Sequence, residues 1–209
     1  MLLEVNPLNP DSRQINKIVA CLKDDGIIVI PTDTVYAMGC SMHSSKAFEK
    51  ICKLKNIRPE KANFSFIMNS LSDISAYTKP FDRSVFKLLN KSLPGPFTFI
   101  LEASNNIPSF FRNKKKTVGI RIPNHKVPIE IANQLSNPLL VTSLHLTPES
   151  NSYLDYPLNP LEIFEQYSSL VDIIIDGGWG HTIPSTVVDC TNDNIRIIRQ
   201  GAGFIQLNS

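Results

Sequence analysis

Gly26-Ile27-Ile28-Val29-Ile30-Pro31-Thr32-Asp33-Thr34-Val35-Tyr36-Ala37-Met38-Gly39-Cys40 is the stretch on which the fold of this chain turns. The four β-branched residues Ile27 to Ile30 predict a strand buried on both faces. Pro31 has no N–H to give a sheet ladder, so it marks the strand's end or a bulge. Thr32, Asp33 and Thr34 follow at once. A polar cluster at the carboxyl end of a buried strand is where open α/β sheets hold ligands. A plain polar turn is the alternative.

Outward from this stretch the pattern repeats. Leu139-Leu140-Val141-Thr142-Ser143 is a second apolar strand ending in hydroxyls. Further strands are expected at Phe64–Met68, Phe97–Leu101, Thr117–Pro123 and Val171–Asp176, from their β-branched and aromatic residues. Ser185–Cys190 and Ile195–Arg199 predict a hairpin through Asn192-Asp193-Asn194. Asp11 or Ser12 caps a helix to about Asp24, with Ile15, Ile18, Val19 and Leu22 on one face. Ser44-Ser45 caps a second helix over Lys46–Lys55. Short helices follow over Ser72–Tyr77, Arg83–Leu89, Pro128–Leu135 and Leu161–Tyr167. Strands and helices intermix throughout, so the class is α/β with a large, mixed, twisted sheet, as one domain over residues 1–209.

The 209 residues are 42% hydrophobic and 19% charged, which is globular composition, and the formal net charge is +2. That balance argues against a dedicated nucleic-acid binder. The distribution of charge is uneven. Arg112 to Lys126 holds Arg112, Lys114, Lys115, Lys116, Arg121 and Lys126 with no acid, a run able to attract phosphates or simply to face solvent. Cys21, Cys40, Cys52 and Cys190 have no CxxC or zinc-ligand spacing and read as reduced core thiols, which suits the cytoplasm. No apolar run approaches the ~20 residues that span a bilayer, so no membrane partner is expected. The N-terminus has neither a basic n-region nor a long apolar h-region.

The chain lacks GxxxxGK[ST], a helix-opening GxGxxG and HExxH. His43, His125, His145 and His181 are scattered, as surface or structural histidines are. Phosphate would have to be held by separate cations and hydroxyls: Lys55, Arg58, Arg121 and Arg199, with Thr34, Thr117, Ser143 and Ser185. Arg121 stands out. In an otherwise apolar strand its guanidinium needs an anionic partner, either a ligand or a salt bridge to Asp33 or Asp189. Lys55 and Arg58 also fit a solvated helix end.

Pro31-Thr32-Asp33-Thr34-Val35-Tyr36-Ala37-Met38-Gly39-Cys40 resembles the PTDTVYGLG signature of the YrdC-like family, the threonylcarbamoyl-AMP synthases. Pro94–Leu101 is similar to that family's PGPxTxIL, Thr117–Pro123 to its TVxVRxP, Ser185–Asp189 to its STVVD and Ile197–Gly201 to its ILRxG. The resemblance runs from about Val5 to about Phe204. It implies a twisted open mixed sheet with helices on both faces and a basic concave cavity. It also implies a reaction in which L-threonine, bicarbonate and ATP give threonylcarbamoyl-AMP and pyrophosphate for tRNA modification, with Mg²⁺ accompanying ATP and no protein nucleophile. Thr34, Arg121 and Ser185 would then face the threonine substrate. Lys55, Arg58, Thr117, Ser143 and Arg199 would face the nucleotide.

Two departures bear on that activity. The family's KxR is Lys55-Asn56-Ile57-Arg58 here, one residue longer, so the two cations cannot keep the same relative direction. Its STSAN is Val141-Thr142-Ser143-Leu144-His145, with Val and His in place of small polar residues. Both resemble the YciO branch, whose members keep the fold but lack parts of the pocket. The resemblance therefore leaves three readings: the synthase, a double-stranded RNA or tRNA-binding module, and a nucleotide-binding paralogue with weak or different activity.

Overall fold

A computed structural model describes residues 1–111, 116–144, 156–191 and 195–206. The expected Asn192–Asn194 turn, His145, the start of the Tyr153–Pro160 loop and three cations of the basic run (Arg112, Lys114, Lys115) lie outside the described residues. The strands are β1 (Leu2–Glu4), β2 (Ile28–Ile30), β3 (Ala37–Ser41), β4 (Ser65–Ile67), β5 (Phe97–Glu102), β6 (Thr117–Arg121), β7 (Leu139–Ser143), β8 (Ile173–Asp176), β9 (Thr186–Asp189) and β10 (Arg196–Arg199). The helices are α1 (Ser12–Lys23), α2 (Ser45–Leu54), α3 (Ile74–Tyr77), α4 (Arg83–Ser92), α5 (Lys126–Leu135) and α6 (Pro160–Tyr167).

Among the described residues, the strands form one mixed sheet in the order β1-β8-β2-β3-β7-β4-β6-β5-β9-β10. The expected late hairpin is present as the antiparallel pair β9–β10 at one edge. Between the polar turn of the opening stretch and the helix begun at Ser45 lies a further strand, β3. β2 turns back antiparallel through Pro31–Tyr36 into β3, which then pairs with β7. Thr32-Asp33-Thr34 is thus the tip of a hairpin. Thr32 and Thr34 are buried there, because the Thr32 hydroxyl donates to the Val35 carbonyl and approaches the Thr34 hydroxyl.

Side-chain alternation divides the core. Ile28, Ile30, Ile173 and Ile175 face α1 and α5, whose Ile15, Ile18, Leu22, Val127 and Ile131 cover them. Val29, Met38, Phe66, Leu140 and Ile174 point the other way, under Phe48 and Ile51 of α2, Leu89 of α4 and Ile163 of α6. Helices therefore cover both faces. Each fully buried aliphatic of this kind contributes roughly 1.5–3 kcal/mol. On β5, β6 and β9 the inward set continues as Phe97, Phe99, Leu101, Val118, Ile120 and Val188. Their alternate neighbours lie on the face that carries α1 and α5 but beyond the reach of those helices, and there the sheet opens into a hollow.

Candidate functional site

The hollow has a volume of about 470 Å³. Its floor follows from the period of two: Thr98 and Ile100 of β5, Thr117, Gly119 and Arg121 of β6, and Val187 and Asp189 of β9. Ser65, Val141 and Ser143 close it on the β4–β7 side, and Arg196, Ile198 and Arg199 of β10 on the other. Among the described residues its ionisable lining is Arg121, Arg196, Arg199 and Asp189, three cations against one acid.

β10 contributes arginines three apart, which on a regular strand would face opposite sides. The register slips between Ile197 and Arg199, so that Arg199 pairs with Val187 two positions from the Arg196–Asp189 pair. Both arginines then line the hollow.

Arg121 is buried, and its Nη2 donates to Asp33 Oδ1 and to Thr34 Oγ1, each at 3.0 Å. Asp33 Oδ2 accepts from the Asn124 N–H at 3.0 Å. Of the partners weighed from sequence, Asp33 is the one paired. Arg121 also lines the cavity, and its buried Nε has no hydrogen-bond partner among the described residues. Burial lowers the Arg121 pKa, Asp33 opposes that, and Arg199 lowers it further. The two arginines therefore feel each other across the site, which favours a shared anion.

Arg199 is aimed by Ser185, whose carbonyl accepts from Arg199 Nε at 3.2 Å and Nη2 at 2.8 Å. Ser185 Oγ in turn lies 2.8 Å from Thr98 Oγ1. At the β7 end, buried Lys55 donates from Nζ to the Ser143 carbonyl at 3.0 Å, and burial lowers its pKa to about 8. It is not a solvated helix end.

Of the residues expected from sequence, Arg121, Thr117, Ser143, Ser185 and Arg199 line one cavity. Thr34 is fully buried and adjoins the site through Arg121; Lys55 adjoins it through the Ser143 carbonyl. Arg58 is exposed and is not among the lining residues. Sequence reasoning passed over Thr98, Gly119, Asp189 and Arg196 as site residues. Thr98 was visible as the polar member of Phe97-Thr98-Phe99, whereas Arg196 depends on the bulge.

The family described as telomere recombination (Sua5_yciO_yrdC) matches residues 20–201. The uncharacterised protein YciO of Escherichia coli K12 is 34% identical over 203 residues, 97% of this chain and 96% of that protein. A crystal structure of E. coli YciO superposes with a TM-score of 0.90, covering 98% of this chain and 97% of that one. A threonylcarbamoyl-AMP synthase from Coxiella burnetii is 26% identical over 172 residues, 82% of this chain and 89% of that protein. P. abyssi Sua5, solved in complex with L-threonine, shares the fold at 21% identity and a TM-score of 0.86, covering 96% of this chain and 57% of that one.

Proposed function

Because the chain belongs to the Sua5/YciO/YrdC family, we propose that its cavity binds ATP and activates the carbamate of L-threonine as an adenylate. The threonine amine combines with bicarbonate, losing water, to give an N-carboxylate. One oxygen of that carboxylate attacks the α-phosphorus of ATP, the bond from the α-phosphorus to the bridging oxygen breaks, and pyrophosphate leaves. Attacker and target are both anionic, so the protein's task is to hold them together and offset their charge. Arg121 and Arg199 do this from opposite sides, aimed by Asp33 and Ser185. Thr98, Thr117, Ser143 and Ser185 offer hydroxyls to phosphate oxygens. No step needs a protein nucleophile.

Among the described residues no group of three or more His, Cys, Asp or Glu side chains could hold a metal ion. Mg²⁺ enters the reaction as the companion of the ATP phosphates.

The observation that carries this reading is the buried Arg121, whose Nε has no partner among the described residues, in a cavity shared with Arg199. The test is pyrophosphate release from ATP. It should require L-threonine and bicarbonate together, and its absence at enzyme concentrations near those of substrate would defeat the reading.

Val141 favours a second reading. Its apolar side chain lines the hollow where the synthases carry a small polar residue, so the acceptor activated here would be other than L-threonine. In that case ATP raises the unfolding temperature while threonine adds neither stability nor turnover.

A further inference from the structure

Asp189, the acid among the described lining residues, has no part in the phosphate chemistry above. Asp189 sits at the opposite end of β9 from Ser185, four residues along a strand, or about 13 Å at ~3.3 Å per residue. The Arg199 guanidinium, held at Ser185, is thus separated along the floor from the end where Asp189 pairs with Arg196.

Asp189 is held in place. Its Oδ1 accepts from the Thr191 N–H at 3.0 Å and from the Thr191 hydroxyl at 2.7 Å. Its Oδ2 accepts from Arg196 Nη2 at 3.2 Å, and Arg196 is largely exposed. Burial works against the Asp189 charge, but the bonds from Thr191 and Arg196 outweigh it and keep the pKa below the usual carboxylate range. The result is a rigid acceptor whose charge is offset by a neighbouring cation. A second cation from the ligand would meet repulsion from Arg196; neutral hydroxyl donors would not. Ile100 pairs with Asp189 across β5–β9, and Val187 and Ile198 add apolar lining to the same cavity.

Resting on the nucleotide reading above, we infer that Asp189 is the sugar-reading residue of the cavity. Its Oδ2, which carries the single bond from Arg196, accepts a hydrogen bond from a hydroxyl of the nucleotide ribose, while the phosphates lie toward Arg121 and Arg199.

Titration calorimetry with ATP, 2′,3′-dideoxy-ATP and inorganic tripolyphosphate, on wild type, Asp189→Asn and Arg196→Ala, separates the outcomes. Wild type should prefer ATP over the dideoxy analogue by about tenfold, the worth of ~1.4 kcal/mol. Asp189→Asn should abolish that preference yet bind tripolyphosphate within about twofold of wild type, which a merely structural role would not allow. Arg196→Ala, which removes the competing donor, should keep or widen the preference. ATP binding with no preference in wild type overturns the assignment alone, whether or not Asp189→Asn folds. So does a preference retained in Asp189→Asn, or equal losses of ATP and tripolyphosphate. If wild type binds neither nucleotide, the nucleotide reading fails first and this one with it.

Discussion

Asp33→Asn should couple the stability of this protein to anions. The substitution keeps the shape of the hairpin tip and an acceptor for the Asn124 N–H, but removes the countercharge of Arg121. Both side chains are close to closed off, 8% and 9% exposed, so the stranded guanidinium gets little help from water. Removing one member of a buried pair costs about 3–5 kcal/mol. Thr34 remains as an acceptor and the cavity lies alongside, which favours the lower end, about 3 kcal/mol. At ~2–4 °C per kcal/mol for a chain of this size, the midpoint should fall by roughly 6–12 °C. Tripolyphosphate should then restore more in the variant than in wild type, since a freed Arg121 binds it more tightly. A ligand at ~100 times its Kd contributes about 2.7 kcal/mol. Thermal unfolding with tripolyphosphate against potassium chloride at matched ionic strength separates binding from screening. A midpoint within 2 °C of wild type would refute the burial argument. An equal anion response in the two proteins would refute the claim that Arg121 faces the ligand.

Lys55→Met should stabilise the protein, and in a pH-dependent way. Its pKa falls from 10.5 to about 8 on folding, so between those values the unfolded chain holds a proton that the folded one does not. Stability of wild type should therefore rise with pH over that interval, with the full penalty, up to about 3 kcal/mol, present below pH 8. Urea midpoints at pH 7 and pH 10 should show the methionine variant ahead at pH 7 and the gap shrinking at pH 10. A constant gap would contradict burial as the cause. Gly119→Leu should abolish binding of nucleotide while leaving a folded chain. A Cβ there would stand 2.9 Å from Ser65 Oγ and 3.3 Å from Thr98 Cγ2, and the remaining side chain would project into the hollow. Calorimetry with ATP checks this, and retained affinity would contradict the cavity's role. The native thiols should resist alkylation at pH 7.5. Burial raises the thiol pKa of Cys40, and those of Cys52, Cys21 and Cys190 to about 11, 11 and 12. Labelling much faster than unfolding would contradict it.

Much of the site was legible because its physics is local. Ile27–Ile30 reads as a doubly buried strand; β2 takes Ile28–Ile30, and all four side chains are fully buried. A guanidinium among apolar neighbours had to have an anion near it, and Arg121 does. What the pattern could not convey was tertiary. Ala37–Ser41 carries a Gly and no alternation, since it lies buried between β2 and β7, and its pattern announces no strand. Asp33 and Asp189 were equal partners for Arg121 on paper; the hairpin brings the first within reach, while Thr191 and Arg196 occupy the second. From sequence Lys55 fits either a phosphate contact or a helix end in water, because nothing nearby in sequence announces that the Ser143 carbonyl of β7 accepts from it. The facing of Arg199 depends on a bulge with no signature in Arg196-Ile197-Ile198-Arg199. Membership in the family was evident from five ordered motifs. The chemistry at Val141 is where the resemblance thins.

The most direct test of the account is the affinity of ATP for the wild-type protein and for Arg199→Met, measured by calorimetry in one buffer. If Arg121 and Arg199 hold the phosphates between them, the variant should bind ATP at least tenfold more weakly and remain folded. Equal affinities in the two proteins would mean that the phosphates lie elsewhere, and the cavity would lose its assigned role.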